Sequence, residues 1–269
     1  MATKVVVFPF DLFGNSGAAE GSKLLADEIR TMLRDSYAET AETRALAWRD
    51  QVRLRELPMD NLSSLKRWRE RGSQAIRRVL KGGDRFIWLS GNHLGVLPVY
   101  EEIDSASVTV LQLDAHLDMH HFADTLDTPS HGNFLLHSRK PLPRVFNVGH
   151  RDLLIPPKAI EKVFAGTVSA MDFIKDEAGS LKKIQKHLQG KVFLDIDCDV
   201  MDSAYFAATG RPVPMGLSPA QMLRIFELIP MENLVGIALS EFDPSRDVSD
   251  RGLSLLIWWL EYFFLKFHE

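Results

Sequence analysis

LQLDAHLDMHH, residues 111–121, decides how this chain is read. An apolar run, Ser107–Leu113, delivers two aspartates and three histidines to its carboxyl end. In an extended backbone alternate residues share one face, so Asp114, His116 and Asp118 can point together. Carboxylates crowded in this way repel one another unless a proton or a cation comes between them.

Similar apolar runs recur along the chain. Strands are expected at Lys4–Phe8, Arg44–Trp48, Arg85–Leu89, Ser107–Leu113, Arg144–Val148, Thr167–Met171, Lys191–Ile196 and Leu234–Leu239. Helical patterns lie between them near Ala19–Asp35, Leu62–Leu80, Leu181–Leu188, Ser218–Leu228 and Gly252–Lys266. Short apolar strands alternating with longer helices predict an α/β fold: a central, mostly parallel eight-stranded sheet covered by helices on both faces. Ser218, followed by Pro219, marks one helix start, and Asp60 or Asn61 another. No repeat or Pro/Gly-rich linker divides the chain, so one domain over residues 1–269 is expected.

Ligands of open parallel sheets bind beyond the carboxyl ends of the strands. Three further strands end in ligand-type residues. SGNH places His93 there, LDIDCDVMD places Asp195, Asp197, Asp199 and Asp202, and SEFDP places Glu241 and Asp243. A divalent metal explains such crowding economically, and carboxylate mixed with imidazole suits manganese, iron, cobalt or zinc better than calcium. An EF-hand loop starting at Asp195 is excluded, because its sixth position is Val200 and its twelfth Phe206. His116 and His120 are four apart but lack the HExxH glutamate, which argues against a zincin site.

Composition sets the outer limits. With 45% hydrophobic and 25% charged residues the chain is globular rather than disordered. A net charge of -4 gives no reason to expect nucleic acid or an anionic membrane as partner. The basic stretch Lys66–Lys81 reads as the solvated face of a helix. Cys198 is the single cysteine, which fits a reducing cytosol. Met1–Phe10 carries no signal-peptide pattern, and Leu255–Leu265 is too short to span a bilayer. A cytoplasmic protein is therefore expected.

The motifs together resemble the ureohydrolases: arginase, agmatinase and their relatives. The resemblance rests on SGNHL at residues 90–94, DAHLD at 114–118, LDIDCDVMD with AATGRPVPMGLS at 207–218, and SEFDP at 240–244. It implies a three-layer αβα arginase-like fold and two Mn2+ ions at the strand ends. His93, Asp114, Asp118 and Asp195 would hold one ion, and Asp114, His116, Asp195 and Asp197 the other. Asp199 and Asp202 stay outside this set, because the segment from Asp197 to Gly210 runs about two residues longer than the family pattern. Such a metal pair lowers the pKa of water and stabilises transition-state charge. The resemblance further implies that Asp118 passes a proton to the departing amine, that Glu241 pairs with the guanidinium and that His131 shuttles protons. Thr209 and Gly210 would shape the cavity wall.

Departures from the pattern bear on the substrate. Asn92 stands where an aspartate normally supports the metal-binding loop. Arginases acting on free arginine use an asparagine and a serine where this chain has His120 and Asp127, and an aspartate where it has Leu154. An aspartate beside a substrate carboxylate repels it, so the site suits a guanidinium whose far end is not a free amino acid. The segments SGNHLGVLPVYEE and LDAHLD look most like the peptide arginases, which convert peptidyl arginine to ornithine in ribosomal peptide maturation. Agmatine or guanidinobutyrate is the alternative substrate type, and an arginase-fold, single-zinc deacetylase the alternative class. The aromatic run Trp258, Trp259, Tyr262, Phe263 and Phe264 reads as core, with a homo-oligomer interface as its second use. Cys198 reads as a buried thiol.

Overall fold

The computed structural model describes residues 2–119 and 127–269. Its centre is one eight-stranded sheet: β1 Thr3–Phe8, β2 Val52–Glu56, β3 Arg85–Ser90, β4 Val108–Leu113, β5 Arg144–Val148, β6 Gly166–Val168, β7 Lys191–Asp197 and β8 Leu234–Ser240. The strand order is β2-β1-β3-β8-β7-β4-β5-β6, and every pairing is parallel. The expected α/β architecture is thus what the chain adopts.

Nine helices are described: α1 Ala18–Ala38, α2 Leu62–Lys66, α3 Trp68–Gly82, α4 Leu97–Glu102, α5 Pro157–Val163, α6 Ala170–Lys175, α7 Glu177–His187, α8 Pro219–Phe226 and α9 Arg251–His268. Alternation along the strands divides the core in two. Val5, Val7, Ile87, Leu111 and Leu194 face Leu25 and Ile29 of α1, Ile225 of α8 and Phe263 of α9. Val6, Phe8, Trp88, Val110 and Phe193 face Trp68 and Ile76 of α3 and Leu97 and Tyr100 of α4. Burial on both faces is why these strands read as nearly continuous apolar runs.

Local chemistry set several boundaries as expected. Ser218 accepts a hydrogen bond from the Gln221 N–H while the Gln221 side chain accepts one from the Ser218 N–H, with Pro219 opening α8. Asn61 caps α2 through the Ser64 N–H at 2.9 Å.

Three elements differ from the sequence reading. Arg44–Ala47 is a 3-10 turn, not a strand, and the second strand is Val52–Glu56 at the sheet edge, where one buried residue and alternating charges gave a weak apolar signal. The strand expected over Thr167–Met171 stops at Val168 because Ser169 caps α6. The helix expected over Leu62–Leu80 is divided at Arg67, whose backbone is not helical. Among the described residues, no helix is long and apolar enough to cross a membrane.

Candidate active site

The middle of the sheet runs β3, β8, β7, β4, so the four strand ends rich in acids and histidines lie side by side. Chain order reverses across this centre, which is where open α/β sheets bind ligands. Gly91 makes the approach possible, since a Cβ there would lie 2.3 Å from the Phe10 carbonyl oxygen. The Asn92 N–H donates to that oxygen at 2.9 Å, and the Asn92 side chain donates to the Leu12 carbonyl at 3.0 Å. Asn92 therefore ties the segment after β1 to the loop that carries His93.

His93 is 1% exposed, and its Nδ1 lies 2.7 Å from Asp118 Oδ2, 3.2 Å from Asp114 Oδ2 and 3.3 Å from Asp197 Oδ2. Among the described residues, Nδ1 of His93, Oδ2 of Asp114 and Oδ2 of Asp118 are buried without hydrogen-bond partners, yet they converge on one point. Orphaned ligand atoms aimed at a common centre are what a cation site requires. A second group lies beside it. His116 Nδ1 is 3.0 Å from Asp199 Oδ2 and 3.7 Å from Asp114 Oδ1, so the two oxygens of Asp114 face different groups. Asp197 Oδ1 accepts the Asp199 N–H at 2.9 Å, which orders the strand end that carries both acids.

The surrounding charges act strongly on these groups. Burial opposes protonation of His93, but Asp195 and Asp118 outweigh it and raise its pKa well above the usual imidazole value. His116 is likewise pushed up to about 12, burial being overcome by Asp114 and Asp199. Burial, reinforced by Asp114, raises Asp118. Burial and the neighbouring Asp199 raise Asp197. The site as built favours positive charge at its centre.

One expected ligand is placed elsewhere. Asp195 pairs with Gln112 in the β7–β4 register, two residues before the strand end that carries Asp114. At about 3.3 Å per residue that puts it roughly 6–7 Å deeper in the sheet. Its Oδ2 meets the far side of His93, 2.9 Å from Nε2, and accepts the Tyr100 hydroxyl at 2.6 Å. At the strand end itself Asp197 Oδ2 faces His93 Nδ1 and Asp199 Oδ2 faces His116 Nδ1, while Asp195 meets His93 from behind. Asp202 caps the following loop instead, accepting the Ala204 N–H at 2.8 Å and the Gly216 N–H at 3.0 Å.

Beside this cluster sits Glu241, 2% exposed and held with a φ of 64°. Its N–H donates to the Gly91 carbonyl at 2.9 Å. Oε1 accepts the His93 N–H at 2.9 Å and lies 3.4 Å from His131 Nδ1, while Oε2 accepts Asn15 Nδ2 at 3.0 Å. His131 is partly exposed, and Glu241 raises its pKa against the effect of burial. Thr209 is buried, with its hydroxyl lacking a hydrogen-bond partner, and Gly210 packs against Asn15. The fold brings Glu241 and His131, both named from the sequence, beside Asn15, which was not named and reaches them only through tertiary contacts.

Arg151 was missed as well. Its guanidinium donates to the carbonyls of Gly149, Val200, Asp199 and Val213, clamping the loop after β5 onto the strand end that carries Asp199. Asp152 accepts the Leu117 N–H at 2.9 Å, and the next two residues, Leu153 and Leu154, are 90% and 94% exposed beside the DAHLD loop. Asp127 is exposed and makes no ion pair among the described residues. His120 lies outside the described residues. Cys198 is fully buried.

The arginase family model matches residues 2–262. This chain belongs to the arginase family. It is 27% identical over 189 residues to an agmatinase of Chromobacterium violaceum, an alignment covering 65% of this chain and 55% of that protein. It is 25% identical over 210 residues to the human mitochondrial guanidino acid hydrolase, covering 70% and 56%. These alignments therefore span little more than half the length of those two relatives. Among solved structures, the agmatine ureohydrolase of Thermoplasma volcanium superposes with a TM-score of 0.77 at 19% identity, covering 98% of this chain and 89% of that one. The arginase of Bacillus subtilis gives 0.76 at 19% identity, covering 98% of both. At this identity the superpositions speak for the fold.

Proposed function

We propose that this family member is a metal-dependent hydrolase that cleaves a guanidino group to urea and an amine. The observation that carries the reading is the convergence of unpartnered His93, Asp114 and Asp118 atoms beside the His116–Asp199 pair, within one strand-end cleft. The donor set suits two manganese ions: His93, Asp114, Asp118 and Asp197 for one, and Asp114, His116, Asp197 and Asp199 for the other. Bound there, the metal pair supplies a hydroxide-like nucleophile at neutral pH and stabilises developing charge.

The chain's own groups do the rest. Glu241 is buried, and the His93 N–H and Asn15 Nδ2 aim its two oxygens, so the carboxylate can pair with and orient a planar guanidinium. Asp118, whose Oδ2 lies 2.7 Å from His93 Nδ1 in the same group, is suited by position to pass a proton to the departing amine. His131, partly exposed beside Glu241, connects that pocket to solvent and can relay protons outward.

The substrate we favour is arginine within a peptide, converted to ornithine. In support, Leu153 and Leu154 are exposed beside the DAHLD loop, and Leu154 stands where the resemblance expects an acid for a free amino acid. Agmatine or a guanidino acid is the second reading, favoured by the activities for which the relatives are named. Urea release by manganese-loaded protein, measured with arginine peptides, free arginine, agmatine and guanidinobutyrate in parallel, separates these. Urea from peptides, with ornithine left in the chain, supports the first; urea from agmatine or guanidinobutyrate alone replaces it with the second; no urea from any overturns the hydrolase reading.

A further inference from the structure

We infer that Asp195 and Tyr100 form a buried positioning device for the metal-facing side of His93. The inference rests on His93 acting as a ligand in the proposed function. An imidazole can bind a cation through Nδ1 only if it is neutral with its proton on Nε2, and that proton needs an acceptor. Asp195 Oδ2 is that acceptor at 2.9 Å, and His93 Nδ1 is the atom facing Asp114, Asp118 and Asp197.

The carboxylate is itself held. The Tyr100 hydroxyl, carried by α4, donates to the same Oδ2 at 2.6 Å. Asp195, His93 and Tyr100 are 0%, 1% and 0% exposed. Phe134 packs edge-on against both His93 and Tyr100, with centroids 4.9 and 5.7 Å away, and Phe193 closes on Tyr100 at 6.2 Å. A carboxylate is costly to bury in such an apolar surround, and among the described residues Oδ1 of Asp195 has no hydrogen-bond partner. Two donors converging on Oδ2 offset part of that cost and leave the acid a single orientation. The ring plane of His93 is thereby fixed before any cation arrives, and its Nε2 proton keeps an acceptor when Nδ1 turns to a cation, which lowers the ordering cost of binding.

A positioning acid and a ligand acid make different predictions for metal stoichiometry. Mn2+ binding to metal-stripped protein is to be measured by calorimetry, with melting of the metal-free variants as a check on folding. Asp195→Asn should still bind two ions per chain, but with the affinity of one site weakened about 10–100-fold, the usual effect of losing such a partner. Asp195→Ala should weaken it further, and the conservative Asn should recover part of the loss because it still offers an acceptor. Tyr100→Phe keeps the acid and serves if the Asp195 variants do not fold; it should weaken the same site by a smaller factor. In cobalt-substituted protein, the exchangeable Nε2 proton of His93 should give a paramagnetically shifted signal that exchanges faster with solvent in Asp195→Ala.

Wild-type affinity in both Asp195→Ala and Tyr100→Phe would overturn the inference. So would an Asp195→Asn protein that binds only one ion, which would make Asp195 a ligand while leaving the hydrolase reading intact. Wild-type protein that binds no Mn2+ would overturn both.

Discussion

Oδ2 of Asp199 lies 3.0 Å from Nδ1 of His116, at the strand end where Asp197 and Asp195 were expected to serve as ligands. The pairing implies that Asp199 completes the second metal group, whereas Asp202, three residues on, only holds a loop. Asp199→Ala should reduce bound manganese from two ions to one and abolish urea release. Asp202→Ala should retain both ions and lose about 0.5–1.5 kcal/mol of stability, the net worth of hydrogen bonds in a partly exposed loop. Metal analysis beside thermal melting checks both, and full metal content in Asp199→Ala would return the ligand to Asp195.

His131 touches Glu241 but none of the proposed ligands in the ion pairs described. His131→Asn should therefore leave Mn2+ affinity unchanged while lowering kcat by about 10²–10⁴-fold, the range for a lost proton-transfer group. Calorimetry and steady-state kinetics on the same preparation test it. Equal loss of metal and activity would contradict a proton-relay role.

Asn15 supplies the donor on Glu241 Oε2, so its removal should be felt in substrate binding. Asn15→Ala is expected to raise KM several-fold, because the carboxylate loses the contact that aims it. Asn15→Asp should do more, placing a second carboxylate at hydrogen-bonding distance from the first. Initial-rate curves for the three proteins give the comparison, and unchanged KM in Asn15→Asp would remove Asn15 from the site.

Away from the site, Arg69 and Glu101 form a bidentate pair, with side chains 12% and 4% exposed. The Arg69 guanidinium and the Arg139 N–H outweigh the effect of burial and hold Glu101 below its ordinary value of 4.5. A depressed carboxylate contributes stability that is present above its unfolded pKa and lost as pH falls through the folded value. Metal-free protein should therefore lose stability below about pH 4.5, and Glu101→Gln should lack that component. The same variant leaves a buried guanidinium short of its partner and should cost about 3–5 kcal/mol at pH 7. Urea denaturation at pH 7 and pH 4 measures both effects.

Metal removal offers a general check. Saturating Mn2+ at about 100 times its Kd should stabilise the protein by about 2.7 kcal/mol for each ion bound, since binding to the folded state alone shifts the equilibrium by mass action. Chelation should reverse both the shift in melting and the urea release.

Much of this molecule was legible in its residues. Apolar runs such as Val108–Leu113 and Leu234–Ser240 are buried on both faces, so their strand character shows in composition alone. Ser218 with Pro219 and Gln221 fixed a helix start by bonds that span only three residues. The strand at Val52–Glu56 was hidden because an edge strand needs little apolar surface. His93, Asp114, His116, Asp118, Asp197 and Glu241 were chosen by residue type at strand ends and His131 by the resemblance, and the fold brings them together.

What the residues alone determined is the parallel α/β fold and a strand-end cleft rich in acids and imidazoles, because alternation and strand-end placement are local properties of the chain. Which aspartate of D195-I-D197-C-D199 faces which histidine was decided only by the tertiary structure. Asp195 and Asp197 share a strand face, so periodicity treats them alike. The register that sets Asp195 opposite Gln112 separates them, leaving one acid behind His93 and the other in front of it. Asn15, Tyr100 and Arg151 were invisible for the same reason: each acts on a residue at least 48 positions away, through contacts that exist only once the sheet and its helices have packed.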